Sequence, residues 1–217
     1  MFDKRFDAAN QAQTSEITLE LLGAIQDEEL VSQRSLAARL GVAVGLTNAL
    51  VKRCVRKGLL KVQTVPSKRY AYFLTPKGFV EKSRLTAEYL STSLYFFRDA
   101  RRQCDAFFDK CESSGIRKIA LIGASDLAEI AVLSAIDRGI EIIGIVDGKS
   151  NYERLAGVPV VRSLEDAGSF DQVMVTDLSD PQGTYDECRK ELEDEKILVL
   201  SLLRVSSGTR FHGGRLA

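Results

Sequence analysis

Several things are missing from this 217-residue chain, and each omission removes a class of function. No apolar run approaches the roughly 20 residues that a bilayer span needs. The first residues, MFDKRFDAANQAQTSE, lack the apolar stretch of a secretory signal. Cys54, Cys104, Cys111 and Cys188 show neither CxxC spacing nor the density of a disulfide scaffold, which fits reduced thiols in a cytoplasmic protein. The single histidine, His212, falls in the Gly-rich tail SSGTRFHGGRLA, read as flexible, so no Ser-His-Asp or Cys-His set can be built around a strand end. Carboxylates three apart, Asp126/Glu129 and Asp177/Asp180, read as solvated faces, and no metal cluster is visible. The expectation is therefore no catalytic residue, no metal and no enzymatic role.

Acidic residues are also missing from one long stretch. Between Glu29 and Glu81 there is none, while ten Lys and Arg lie there. The formal net charge of zero hides a split, with 18 basic and 13 acidic residues in 1–116 against 12 and 17 in 117–217. A surface with many bases and no acids attracts polyanions, because each cation can displace a condensed counterion from a phosphate. A solvated basic face with no partner is the alternative.

Local patterns in that stretch are specific. From Ser15 to Glu29, Ile17, Leu21, Leu22 and Ile25 form one stripe of a helix. Ser32 reads as an N-cap, followed by a short helix with Leu36, Ala37 and Leu40 on one face. Gly41 ends it and turns the chain. A second helix over about Val44–Lys57 puts Val44, Thr47, Val51 and Cys54 inside and Gly45, Asn48, Lys52, Arg53 and Arg56 outside. Leu59–Val65 and Arg69–Leu74 read as two strands joined by Pro66-Ser67-Lys68, with Lys68 and Arg69 near the tip. Helix, turn, helix and basic hairpin is the order of a winged helix-turn-helix. Its second helix fits a major groove, where Asn pairs with adenine and Lys or Arg with guanine. Expected contacts to double-stranded DNA are Ser32, Gln33, Arg34, Gly45, Asn48, Lys52, Arg53 and Arg56, with Lys68 and Arg69 in the wing. A winged helix used for protein contacts alone is the other reading.

The residues SQRSLAARLGVAVGLTNALVKRCVRKGLLKVQ and YAYFLTPKGFVEKSRLTAEYL resemble the MarR-type winged-helix regulators found with exopolysaccharide biosynthesis genes. The resemblance covers about residues 15–110. It implies transcriptional control of surface-polysaccharide or related genes. Thr47 departs from it, standing where an apolar residue is usual.

After Pro76 the chain runs to about Ser113 with only Gly78 as an interruption. Leu90, Leu94, Phe97, Arg101, Cys104, Phe108 and Cys111 step by four and three, a heptad seam broken once by Arg101. It is read as a homodimer helix with Leu90, Leu94, Phe97, Cys104, Phe108 and Cys111 in the seam. The alternative is a helix docking its stripe on its own protein. A redox or metal role for Cys104 and Cys111 is less favoured than packing.

From Arg117 short apolar strands alternate with helices: Lys118–Gly123, Glu141–Asp147, Val158–Val161, Gln172–Asp177 and Lys196–Leu202 as strands, Ser125–Arg138 and Thr184–Glu195 as helices, and a helical turn near Ser163–Ala167. This predicts a parallel sheet covered on both faces. The turn Gly123-Ala124-Ser125 sits where a Rossmann fold cradles phosphate, but GxGxxG is met only as GxSxxA, with Asp126 beside it.

IALIGASDLAEIAVLSAIDRGIEIIGIVDG and LAGVPVV resemble the Rossmann-like nucleotide-binding domain of sugar-nucleotide-modifying enzymes, over residues 117–201. That resemblance implies a ligand site at Gly123, Ala124, Ser125, Asp147 and Gly148, for a nucleotide sugar or NAD. A domain that kept the fold but lost the ligand is the alternative.

The expected architecture is α/β plus winged helix: a winged helix-turn-helix in 1–75, a long linking and dimerisation helix in 76–114, a Rossmann-like parallel α/β domain in 115–204, and a flexible tail in 205–217. The expected function is a dimeric DNA-binding regulator with a nucleotide or nucleotide-sugar effector. A sugar-nucleotide enzyme with an accessory winged helix, or a protein-interaction scaffold, are the alternatives.

Overall fold

The computed structural model describes residues 3–27, 32–65 and 69–206. The chain divides into two units, Met1–Ser93 and Leu94–Ala217. In the first, α1 (Asp3–Asp27) buries Leu21, Leu22 and Ile25 of the expected stripe together with Ala24, while Ile17 is partly buried. Ser32 caps α2 (Gln33–Arg39) through a capping box with Ser35, so the first turn is fixed from both sides. Gly41, at φ +61°, makes the left-handed turn into α3 (Val44–Arg56). The α3 helix buries Thr47, Leu50, Val51 and Cys54 against α1, α2 and the hairpin.

The hairpin pairs β1 (Leu60–Val65) antiparallel with β2 (Arg69–Leu74), with Leu60 opposite Leu74 and Val65 opposite Arg69. Thr75 ties this hairpin to the helix after it. Its hydroxyl donates to the Gly58 carbonyl at 2.6 Å and accepts from the Gly78 amide at 3.0 Å. That second bond satisfies a backbone donor at the open start of α4 (Pro76–Ser113).

The 38-residue α4 is not a separate layer. Its Leu85 belongs to the helix-turn-helix core, whereas Ala100, Cys104, Phe107, Phe108 and Cys111 belong to the core of the second unit. This corrects the expected seam: Cys104, Phe108 and Cys111 are fully enclosed by their own chain and cannot meet a partner helix. Leu90, Leu94 and Phe97 remain exposed, at 52%, 51% and 40%.

The second unit is a six-stranded sheet of β3 (Lys118–Ile122), β4 (Glu141–Val146), β5 (Arg154–Leu155), β6 (Val158–Val161), β7 (Gln172–Val175) and β8 (Ile197–Val199), in the order β5-β6-β4-β3-β7-β8. All neighbours are parallel except β5 and β6, so the expected all-parallel sheet is in fact mixed at one edge. Arg154-Leu155 is too short to show an alternating pattern in the sequence. Residues of the central strands alternate between two cores, as a sheet covered on both faces requires. Ile119 and Leu121 pack with α4 residues and with α5 (Asp126–Ala135). Ala120, Val173 and Val175 pack with Tyr185 and Cys188 of α7 (Pro181–Glu191) and beside α6 (Leu164–Ala167). The last strand is shorter than its apolar run, because 3-10 turns at Asp194–Lys196 and Ser201–Leu203 take both ends. Val205 is buried in this core, so the flexible tail does not begin there. His212 lies outside the described residues.

Candidate nucleic-acid interface and the strand-end crevice

The α3 helix offers one face to solvent. Gly45, Lys52, Arg53 and Arg56 are exposed there and Asn48 is half-buried, as the helical spacing predicted. Val44 breaks the prediction. It is 46% exposed, while Leu50, which the spacing does not place inside, is buried. Thr47 is wholly buried, and its hydroxyl donates to the Ala43 carbonyl one turn back at 3.2 Å. A back-bonded Thr hides its polar atom, so it can stand where an apolar residue is usual.

Between α3 and the hairpin lies a groove of about 760 Å³. One wall carries Asn48, Ala49, Lys52, Val55 and Arg56; the other carries Val62, Tyr70 and Tyr72, with Gln33 of α2 at the end. No acid lines it. Lys52, Arg53 and Arg56 have no ion pair among the described residues, while Arg39 is neutralised by Asp27 at 2.5 Å. Free cations around an acid-free groove are what a phosphodiester strand requires. Gln33 links the elements, since its Nε2 donates to Asn48 Oδ1 at 3.3 Å and to Tyr72 Oη at 3.4 Å.

Sequence reasoning missed Tyr70, which is 52% exposed in this groove. Its signal was the alternation of β2, which turns Tyr70 to the face opposite the buried Ala71. Of the other expected contacts, Arg34 is exposed, and the Ser32 hydroxyl is engaged in capping α2. Arg69 opens β2, and Lys68 lies outside the described residues.

In the second unit the structure does bring Gly123, Ala124, Ser125, Asp147 and Gly148 together, at the carboxyl ends of the adjacent strands β3 and β4. It also shows what they are doing. Asp147 Oδ2 accepts from the Ala124 amide at 3.0 Å, and its Oδ1 accepts from the amides of Lys149 and Ser150. Ser125 caps α5 and donates to the Thr176 carbonyl at 2.5 Å. Gly123 has φ +107°, and a Cβ there would lie 2.6 Å from the Asp177 backbone. The glycine thus serves the close approach of β3 to the chain after β7.

Asp177 is itself held. Partial burial would raise its pKa, but hydrogen bonds from the Thr184 hydroxyl and the Ser179 and Asp180 amides outweigh that and leave it lowered. A pyrophosphate at Gly123–Ser125 would need the Ala124 amide that Asp147 occupies, and would face the Asp147 carboxylate. These residues do not fit that group.

Burial pushes the thiols of Cys104 and Cys111 up to about 12 and that of Cys188 to about 11, and raises Cys54 as well. Thiols held neutral in this way are poor nucleophiles and poor metal ligands. Among the described residues, no group of three His, Cys, Asp or Glu is placed to hold a metal. No helix among them is long and apolar enough to cross a membrane.

Residues 14–61 match the family model described as winged helix-turn-helix DNA-binding, which takes in α2, α3 and the start of the hairpin. No curated protein matches the chain. Among solved structures, the PcaV transcriptional regulator from Streptomyces coelicolor is 25% identical over 38% of this chain, with a TM-score of 0.36. The chain covers 62% of the length of that protein, less than two thirds. MepR, a transcription regulator of the Staphylococcus aureus multidrug efflux pump MepA, is 15% identical over 42% of this chain and 77% of its own, with a TM-score of 0.34. Human N-acetylserotonin methyltransferase in complex with SAM is 14% identical over 92% of this chain and 65% of its own, with a TM-score of 0.26. Scores this low leave the architecture to be read from the chain's own elements. The N-terminal unit is a winged helix-turn-helix of the DNA-binding type, followed by a Rossmann-like α/β unit.

Proposed function

We propose that this chain is a DNA-binding transcriptional regulator of the MarR kind that reads duplex DNA with α3 and the hairpin. The observation that carries this is the acid-free groove between them, edged by Lys52 and Arg56 with Arg53 beside it, in a segment matching a DNA-binding family. The helix face supplies side chains for base edges and the groove takes the intervening phosphates. No catalysis is assigned to the chain in this reading.

Dimerisation through α4 is the second part. The exposed Leu90, Leu94 and Phe97 support it, a stripe shortened to the stretch that its own protein does not cover. Control of surface-polysaccharide genes follows from the resemblance over residues 15–110. For the effector, the occupied Ala124 amide counts against a pyrophosphate ligand such as NAD or a UDP-sugar at Gly123–Ser125.

The test is binding of the purified chain to genomic duplex fragments at two salt concentrations, with and without UDP-sugars and NAD. Salt-sensitive retention of discrete fragments is expected. Lys52→Ala with Arg53→Ala should reduce the slope of log affinity against log salt by about 2, near 0.9 per lost phosphate contact. No binding at low salt would remove the proposal. A ligand-dependent shift would restore a nucleotide site to the α/β unit.

A further inference from the structure

We infer that the base-reading unit of this helix-turn-helix is the amide pair Gln33 and Asn48, held in place by the Tyr72 hydroxyl, and that it selects adenine at one position of the bound sequence. The inference rests on the DNA-binding reading above. Gln33 Nε2 lies 3.3 Å from Asn48 Oδ1 and 3.4 Å from Tyr72 Oη, and because a hydroxyl both donates and accepts, the three side chains stay linked whichever way the two amides are turned. What Gln33 has left is Oε1, an acceptor. Asn48 receives its bond on Oδ1, so what it has left is Nδ2, a donor; with both amides turned over, donor and acceptor exchange places and the pair still offers one of each.

A donor beside an acceptor complements the major-groove edge of adenine, whose N7 accepts and whose N6 donates. Guanine offers two acceptors on that edge, and cytosine a donor without the neighbouring acceptor. Asn48 alone could pair with adenine in either amide orientation if it were free to turn. In this structure it is not free, and its partner supplies the other half of the contact.

Tyr72 anchors the arrangement. Its ring is buried in the helix-turn-helix core, so its hydroxyl is fixed relative to α2 and α3. The capping box at Ser32 fixes the backbone of Gln33 in the same way. At 3.3 and 3.4 Å both bonds are long, so their contribution to folding is small and their effect is on orientation. Tyr72 is therefore a positioning residue, not itself a contact to the base.

The experiment is selection from a pool of randomised DNA duplexes by the full chain and by Asn48→Ala, Gln33→Glu and Tyr72→Phe, with thermal melting of each. The wild-type chain is expected to enrich adenine at the position that loses its preference in Asn48→Ala. Tyr72→Phe keeps the ring and the melting temperature. Its adenine preference at that same position falls by about fivefold or more, the lower range for one bidentate base contact. Gln33→Glu has no amide proton to give, so Asn48 turns its Nδ2 inward and the preferred base moves from adenine to cytosine.

A Tyr72→Phe chain with the wild-type preference, or a loss spread over all positions, overturns the inference, as does a wild-type chain that enriches another base there. A wild-type chain that retains no duplex at all fails the DNA-binding reading itself, which is a different result from those three.

Discussion

Truncating two residues of the same heptad stripe should give two different kinds of defect. Phe108 is fully buried in the α/β core, packed with its neighbour Phe107 at a ring separation of 5.3 Å. A buried aromatic covers about 150–250 Å², and replacing it with Ala costs about 4 kcal/mol once the cavity is included. For a unit of this size that lowers the midpoint of unfolding by roughly 10–20 °C. Leu94 is 51% exposed, so its truncation removes little that the folded chain itself had buried, about 1 kcal/mol or less. Thermal unfolding followed by circular dichroism, at two protein concentrations tenfold apart, separates the cases. Phe108→Ala should melt early by the same amount at both concentrations. Leu94→Ala should melt normally and sediment as a smaller species on dilution. If Phe108→Ala melted within about 2 °C of the wild type and changed only the sedimentation, the assignment of α4 to the α/β core would be wrong.

Gly123→Ala should destabilise the α/β unit by about 3 kcal/mol in chemical denaturation, from strain at φ +107° together with a Cβ set 2.6 Å from the Asp177 backbone; a neutral result would mean that β3 and β7 can part easily. Asp147→Ala removes the acceptor of three backbone amides and should cost about 2 kcal/mol in the same assay. Asp177 has a lowered folded pKa, so its contribution is complete above the unfolded carboxylate value near 4 and is lost as pH falls through the folded one. Melting measured at pH 5 and pH 3 should therefore drop less in Asp177→Asn than in the wild type. Thr47→Val removes a buried hydroxyl bonded only to its own helix and should change stability by less than about 1 kcal/mol, whereas Thr47→Asn should be strongly destabilising.

Much of the helix-turn-helix was legible because its periodicities are local. A capping serine, a turn glycine and two short apolar stripes each act within a few residues, and all of them hold in the structure except Val44 at the start of the second stripe. The stripe on α4 was legible as a stripe but not as to what covers it. Leu94 and Phe108 have the same spacing, and only the β3 and α5 residues packed on Phe108 distinguish them. The two-residue β5 is too short to have a pattern, and it pairs through its backbone. At Gly123–Asp147 the residue types suggest a phosphate cradle, while the hydrogen bonds show the same groups engaged with one another. The Gln33–Asn48–Tyr72 chain joins residues 15 and 39 positions apart, a separation at which no sequence rule for pairing operates.

The burial of all four cysteines has a practical side. With thiols shielded and burial pushing three of them up to about 11 or 12, the native chain should be nearly silent to maleimides near neutral pH. One cysteine placed on an exposed position such as Arg34 or Lys61 would then be the only site to take up a fluorophore, with no native thiol to remove beforehand. A dye at either position reports from beside the groove, and a spin label on Leu94 would report from the exposed stripe of α4. Pairing between copies and contact with DNA could then be followed separately, in the same protein.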